Sequence, residues 1–308
     1  MTVTPIDASA VGALFGRLGL RVFERGWLSS NNVLFAESPA APATVVDTGY
    51  SAHAAQTVAL IEKGLAEGPL ARIVNTHLHS DHCGGNAALQ RRWAVETLVP
   101  RACYEAVNTW DEQQLTFSAT DQRCEPFVAD GALSAGDALQ LGAATWEVHA
   151  APGHDPTALM LFEPASRVLI SGDALWERRL AIIFPELVGE PGFGPCLDTL
   201  DAIEALDPVL VIPGHGRPFV DVAAALRASR GRLQAFIRDP AKHRRHAVRA
   251  LVMFHMLEVG ECRGSELVEW LAQTPIHGGM EISAATEVVE GLLEDWALKC
   301  ADGVLRPA

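Results

Sequence analysis

Three histidines and one aspartate fall within six consecutive positions, His77-Leu78-His79-Ser80-Asp81-His82. They follow a β-branched stretch, Arg72–Asn75, and precede the pair Gly84-Gly85 and a helix-forming run that reaches Arg92. Side chains two apart in extended backbone project to the same side, so His77 and His79 suit chelation of one metal ion. Asp81 and His82 come as the chain turns into the helix and are free to face a second ion. The paired glycines let the backbone pass close to such a site with no Cβ in the way.

The rest of the pattern shows how a scaffold can hold this loop. Short apolar segments read as strands at Asn32–Ala36, Thr44–Asp47, Arg72–Asn75, Thr145–His149, Leu159–Phe162, Val168–Ser171 and Val209–Ile212. Amphipathic helices are expected from Ser51 to about Gly64, from Gly84 to Arg92, and from an Asp198 cap to Leu206. Alternating elements of this kind define an α/β layered domain. Beyond it the text becomes nearly all helix, at Asp221–Arg238, Lys242–Glu258, Gly264–Gln273 and Ser283–Trp296. We therefore expect a catalytic domain over 1–220 and a small all-helical module over 221–308. A module that size buries little surface alone, so it should pack on the first domain or on a second copy of the chain.

Further ligand-type residues sit where strands end. His154 lies in Ala151-Pro152-Gly153-His154, Asp173 in Ser171-Gly172-Asp173, and His215 in Pro213-Gly214-His215-Gly216. Singly each reads as a turn residue; together they bring metal-binding groups to four strand ends, which is how α/β scaffolds build sites. Imidazole and carboxylate without thiolate suit zinc, and also iron or manganese.

His77-x-His79-x-Asp81-His82 followed by His154, Asp173 and His215 resembles the metallo-β-lactamase superfamily, as does the early strand Val45-Val46-Asp47-Thr48-Gly49. The resemblance spans about residues 27–220. It implies an αββα sandwich with two divalent ions, zinc first among them, at one edge between the sheets. It also implies the pairing: His77, His79 and His154 on one metal, Asp81, His82 and His215 on the other, and Asp173 between them. Lactamases of the family commonly carry cysteine where this chain has Asp173. That departure moves the match toward glyoxalase II-like thioesterases, lactonases and related hydrolases.

The expected activity is hydrolysis of a small ester, thioester or lactone by water activated between the metals. Asp81 is the candidate to orient that water and shuttle a proton, and Asp47 to support a liganding imidazole. Two alternatives remain open: a mononuclear iron enzyme like the persulfide dioxygenases, and a metallo-ribonuclease. Asp155 reads as a turn residue, Asn31-Asn32 as a turn or a family position, and Cys83 as a packing thiol beside a complete metal shell. The segments Cys103–Phe117 and Trp176–Phe193 are candidates to shape the pocket, their aromatics pointing to a partly apolar substrate.

Charge and composition narrow the partners. The net charge of −14 repels phosphate backbones, which argues against nucleic acid. No apolar run reaches the roughly 20 residues of a membrane span. The six cysteines are scattered without a Cys-x-x-Cys spacing, as in a chain with free thiols, and we expect a cytoplasmic protein. The C-terminal module has the outline of a winged helix, with Gly303-Val304-Leu305 as a wing remnant. Its last helix pairs an apolar stripe (Ile282, Ala285, Val288, Val289, Leu292, Leu293, Trp296) with an acidic face (Glu287, Glu290, Glu294, Asp295), unsuited to phosphates. The basic run Lys242-His243-Arg244-Arg245-His246, with Arg249, reads as a solvated helix start. Packing, dimerisation or closure over the substrate pocket are the roles this leaves.

Overall fold

The computed structural model describes residues 8–65, 68–274, 280–295 and 297–308. Two sheets lie face to face. The first holds six strands in chain order, β1 (Leu20–Phe23), β2 (Asn32–Phe35), β3 (Thr44–Val46), β4 (Arg72–Val74), β5 (Glu96–Pro100) and β6 (Gly131–Leu133). The second holds β7 (Ala138–Leu141), β8 (Ala144–Ala150), β9 (Leu159–Glu163), β10 (Val168–Gly172) and β11 (Leu210–Pro213), in the order β11-β10-β9-β8-β7.

Alternation along the strands decides which residues face which layer. Val33, Phe35, Val46 and Val74 of the first sheet meet Trp146, Val148, Leu161, Ile170 and Ile212 of the second in a shared core. Trp146 and Phe35 pack edge to face across the gap, 5.4 Å between centroids. The intervening residues point outward. Leu34, Val45 and Ile73 carry α2 (Ala54–Leu65) and α4 (Asn86–Arg92) through Ile61 and Leu89, with the short α3 (Ser80–Cys83) between those helices. Met160, Phe162, Leu169 and Val211 carry the far layer through Leu200, Ile203, Leu226 and Leu233. The result is the expected αββα sandwich. Helix α1 (Ala8–Leu18) leads into β1, and α5 (Tyr104–Thr109) and α6 (Phe117–Thr120) fill the β5–β6 connection.

The far layer consists of α8 (Phe193–Leu206), which follows the single turn α7 (Phe184–Leu187), and α9 (Val222–Arg238). Helix α8 starts five residues before the expected Asp198 cap, with Gly192 at its N-cap. The Glu186 carboxylate accepts the Gly192 and Phe193 N–H groups at 2.8 Å, so a side chain from α7 supplies the cap. Asp221, expected as the first residue of the helix, is its cap instead, accepting from the Ala224 N–H at 3.0 Å.

The C-terminal module is built on α10 (Pro240–Val259), α11 (Gly264–Gln273) and α12 (Ile282–Glu294). It also carries a small antiparallel sheet of β12 (Cys262–Arg263), β13 (Leu298–Ala301) and β14 (Val304–Pro307), in the order β12-β14-β13. Strands this short carry too little period-2 pattern to read in advance; only the turn at Gly303 signalled them. Ala285, Val289 and Leu292 pack inward with Val248, Val252 and Met256 of α10. Ile282, expected in the same stripe, sits at the first turn of α12 and is 54% exposed. Trp296 lies outside the described residues. Among the described residues no helix is long and apolar enough to cross a membrane.

Candidate metal centre

Strand direction gathers the ligand residues. β3 and β4 are parallel, β10 and β11 are parallel, and β8 runs with β10 because each is antiparallel to β9. The C-terminal ends of these strands therefore meet at one edge of the sandwich. There lie Asp47 after β3, His77 and His79 after β4, His154 after β8, Asp173 after β10 and His215 after β11. The turn α3 folds Asp81 and His82 back onto the same edge, with His79 as its N-cap.

All seven predicted ligand residues come together. Donor atoms of His77, His79 and His154 lie within 4.8 Å of one another, as do those of Asp81, His82 and His215 and those of His77, His82 and Asp173. His79 Nδ1 is 3.1 Å from His77 Nε2 and 2.7 Å from His154 Nε2. His215 Nε2 is 2.9 Å from an Asp81 oxygen. Asp173 lies between the groups, 3.4 Å from His82 Nε2, 3.6 Å from His154 Nε2 and 3.9 Å from His215 Nε2. Six of the seven are buried, and the His154 side chain is only 10% exposed.

Surrounding groups orient the rings. Asp47 accepts from His82 Nδ1–H at 2.8 Å, which turns His82 Nε2 into the cage, where that buried atom has no hydrogen-bond partner. The same carboxylate accepts the Thr76 N–H at 2.9 Å and hydroxyl at 2.8 Å, fixing the start of the ligand loop. His154 Nδ1 donates to the Ile182 carbonyl at 2.5 Å, presenting Nε2 to the site. Trp176 donates its indole N–H to Asp173 at 3.1 Å. Asp155 accepts from the N–H and hydroxyl of Thr157, both at 2.6 Å, as a turn residue does. Its second oxygen also stands 3.7 Å from His79 Nε2, so its role exceeds the turn alone.

Charge in the cage follows from burial and crowding. Burial, and then the neighbouring His82, His79 and His154, push His77 well below the ordinary imidazole value. Burial and His154 bring His79 down to about 4. His82 goes the other way: burial opposes its charge, but Asp173, Asp47 and Asp81 outweigh burial and hold it well above 6.5. Burial likewise works against the Asp173 and Asp81 carboxylates, and the adjoining His82 and His215 keep both below the usual range. Imidazole nitrogens converging with buried carboxylates form a donor set for a divalent cation. The unpartnered His82 Nε2 supplies the missing reason for its orientation, and the residues fit the group.

Close backbone approach is required at two glycines. A Cβ on Gly214 would sit 2.0 Å from Asp173 Oδ1, and one on Gly84 would sit 2.3 Å from the Ser51 nitrogen. Asn31 is a brace rather than a turn residue. Its amide donates to the Pro213 and Gly216 carbonyls at 2.9 and 2.6 Å, pinning the loop that carries His215. Asn32 holds the Asp47 carbonyl at 3.1 Å. Such long-range bonds leave no periodic signal in sequence. Ile182, whose carbonyl meets His154 28 residues away, escaped for the same reason.

Beside the cage opens a cavity of about 570 Å³. Trp176, Arg179, Leu180, Ala181, Ile182 and Phe184 line it, as expected of the Trp176–Phe193 segment. The Cys103–Phe117 segment does not: its Tyr104, Trp110 and Phe117 pack with Leu78, Cys83 and Phe127 in a separate core. That packing explains Cys83, whose sulfur lies 3.8 Å from that of Cys124. The basic run at the start of α10 is also not simply solvated. His243 is buried, its Nε2 accepting the Ile183 N–H at 3.1 Å, and His246 and Arg249 face the cavity.

Residues 25–215 match the family model described as the metallo-beta-lactamase superfamily, and the chain belongs to that superfamily of metal-dependent hydrolases. A curated relative, the "Probable metallo-hydrolase YqjP" of Bacillus subtilis (strain 168), is 31% identical over 86 residues, 26% of this chain and 27% of that protein. Two solved structures share the fold. The metallo-beta-lactamase family protein TTHA1429 of Thermus thermophilus has a TM-score of 0.57 at 20% identity, over 94% of this chain and 99% of that one. A beta-lactamase domain protein of Burkholderia ambifaria has a TM-score of 0.58 at 24% identity, over 94% and 91%.

Proposed function

We propose that this chain is a dinuclear zinc hydrolase of small esters, thioesters or lactones, of the glyoxalase II-like and lactonase-like branch. The observation that carries the reading is the pair of ligand triads on either side of Asp173. His77, His79 and His154 would hold one ion, Asp81, His82 and His215 the other, and Asp173 both. When bound, the ions supply Lewis acidity and a water acidified to near neutral pH.

The protein's own groups do the rest. Asp81, facing the cavity beside His215, orients the attacking water and carries its proton to the leaving group. Asp47 and the Ile182 carbonyl keep His82 and His154 in the tautomers that face the cage. Phe184, with its ring centroid 4.7 Å from that of His79, and Trp27, 5.2 Å from that of His215, shield the two flanks from water. A complete second triad favours two metals over the mononuclear iron reading. The acidic face of α12 weighs against a ribonuclease, although the helix–hairpin order of the module supports a winged-helix reading. We read that module as a wall of the substrate pocket and the compartment as the reducing cytoplasm, in keeping with six free thiols.

The test is a panel of short acyl esters, acyl thioesters and lactones offered to zinc-loaded protein and to protein stripped by chelator. Turnover of at least one class, lost on stripping and restored by zinc, is expected. No turnover of any class by fully zinc-loaded protein, together with oxygen uptake on a persulfide by iron-loaded protein, would overturn the hydrolase reading.

A further inference from the structure

Helix α10 is apolar on more than one face, and Ala247 and Leu251 pack into a further small core with Leu187. Val248, Val252 and Met256, four residues apart, are buried in the core of the C-terminal module. A second stripe, at positions 250, 253, 254 and 257, repeats at helical spacing on another face and lines the cavity beside the metal cage. Met253, Phe254 and Leu257 remain partly exposed there, backed by the buried Leu292 of α12. The same stripe starts with two basic residues, His246 and Arg249. The Arg249 guanidinium is taken up by Asp295 at 2.5 Å. The cavity thus runs from a polar, charged end at Asp81, Asp173 and His215 to an apolar wall supplied by the C-terminal module.

We infer that this wall is an acyl-chain subsite: the enzyme takes esters, thioesters or lactones whose acyl part is an apolar chain, laid along Met253, Phe254 and Leu257. The reactive carbonyl placement rests on the hydrolase reading above; the subsite itself does not. Three observations support this occupant. The wall and the metal cage line one cavity, so a chain attached to the reacting carbonyl has a path to the wall. A cavity of about 570 Å³ falls in the range of small-molecule sites and exceeds what an acetyl group fills. Met253, Phe254 and Leu257 are only partly buried where they line the cavity, Met253 packing on the module core and Phe254 on Tyr50, so apolar surface remains there for a ligand.

The test is calorimetric titration of zinc-loaded protein with straight-chain carboxylates from acetate to decanoate, the acyl products of the inferred substrates. The head group is constant, so increments report the chain alone. Each methylene entering an apolar wall strengthens binding about fourfold, and affinity is expected to climb at that rate from butanoate to at least octanoate. In Leu257→Trp the octanoate-to-acetate affinity ratio should fall at least tenfold; Met253→Trp serves the same purpose if the first variant does not fold. Affinity independent of chain length in the wild-type protein overturns the subsite. Affinity that climbs while no ester, thioester or lactone is hydrolysed keeps the subsite and removes the hydrolase reading.

Discussion

Asp47 offers a sharp test of how the cage is held, because one buried carboxylate serves two partners. It accepts from His82 Nδ1–H, the Thr76 hydroxyl and the Thr76 N–H at 2.8, 2.8 and 2.9 Å, and it is 3% exposed. Its backbone is left-handed, φ 56°, which asparagine tolerates, so Asp47→Asn changes the chemistry with little backbone strain. The amide oxygen can keep the Thr76 N–H, but the NH₂ group then faces His82. To avoid two opposed donors, the ring must move its proton to Nε2, the atom aimed into the cage. A lost support of this kind costs about 10- to 100-fold in metal affinity, or roughly 1.4–2.7 kcal/mol. Losing a charged acceptor costs folding about 1.5–3 kcal/mol as well, visible as a lower denaturation midpoint. Zinc affinity is read by competition with a chromogenic chelator. An Asp47→Asn protein that binds two zinc ions within about twofold of wild type would refute the orienting role.

Other expectations follow from the same geometry. His79→Ala should lose bound metal and activity yet stay folded, checked by elemental analysis beside circular dichroism; full metal and full activity would sink the ligand assignment. Since Asp173, Asp47 and Asp81 hold His82 protonated above pH 6.5 in the metal-free chain, metal uptake must expel a proton. Calorimetry in two buffers of unlike ionisation enthalpy should show that release, and affinity should fall as pH falls; a buffer-independent heat contradicts it. Burial brings His243 down to about 4 against 6.5 unfolded, so the stability gained from its neutral form is complete above pH 6.5. It is lost as pH falls from there toward 4, on the order of 3 kcal/mol at most. Urea midpoints at pH 7 and pH 5 should lie further apart in the wild type than in His243→Gln, where the other buried histidines alone separate them; an equal separation in both rules His243 out.

Much of the centre was legible because its ligands are concentrated. The run His77 to His82 lies in one loop, and His154, Asp173 and His215 each follow an apolar strand with a glycine immediately before the ligand. The central strands β9 and β10, buried on both faces, read as plain apolar runs. Strands β1, β5, β6 and β7 did not. Leu20–Phe23 carries an arginine at its exposed position, and Ala138–Leu141 is a four-residue hairpin arm. Helix α8 was placed too far along because its cap comes from Glu186, outside the helix. The braces Asn31 and Trp176 act across 182 and 3 residues respectively, and neither distance has a sequence signature. The apolar faces of α10 overlap in projection, so only the packed structure separates core from cavity.

The central claim is that Asp173 and the six ligand residues around it hold two metal ions. Elemental analysis of the protein purified without chelator tests it most directly. Two zinc ions per chain, falling to one or none in His79→Ala, is the predicted result. A single iron per chain, unchanged in a His215→Ala variant, would contradict it and make the second triad a feature of structure alone.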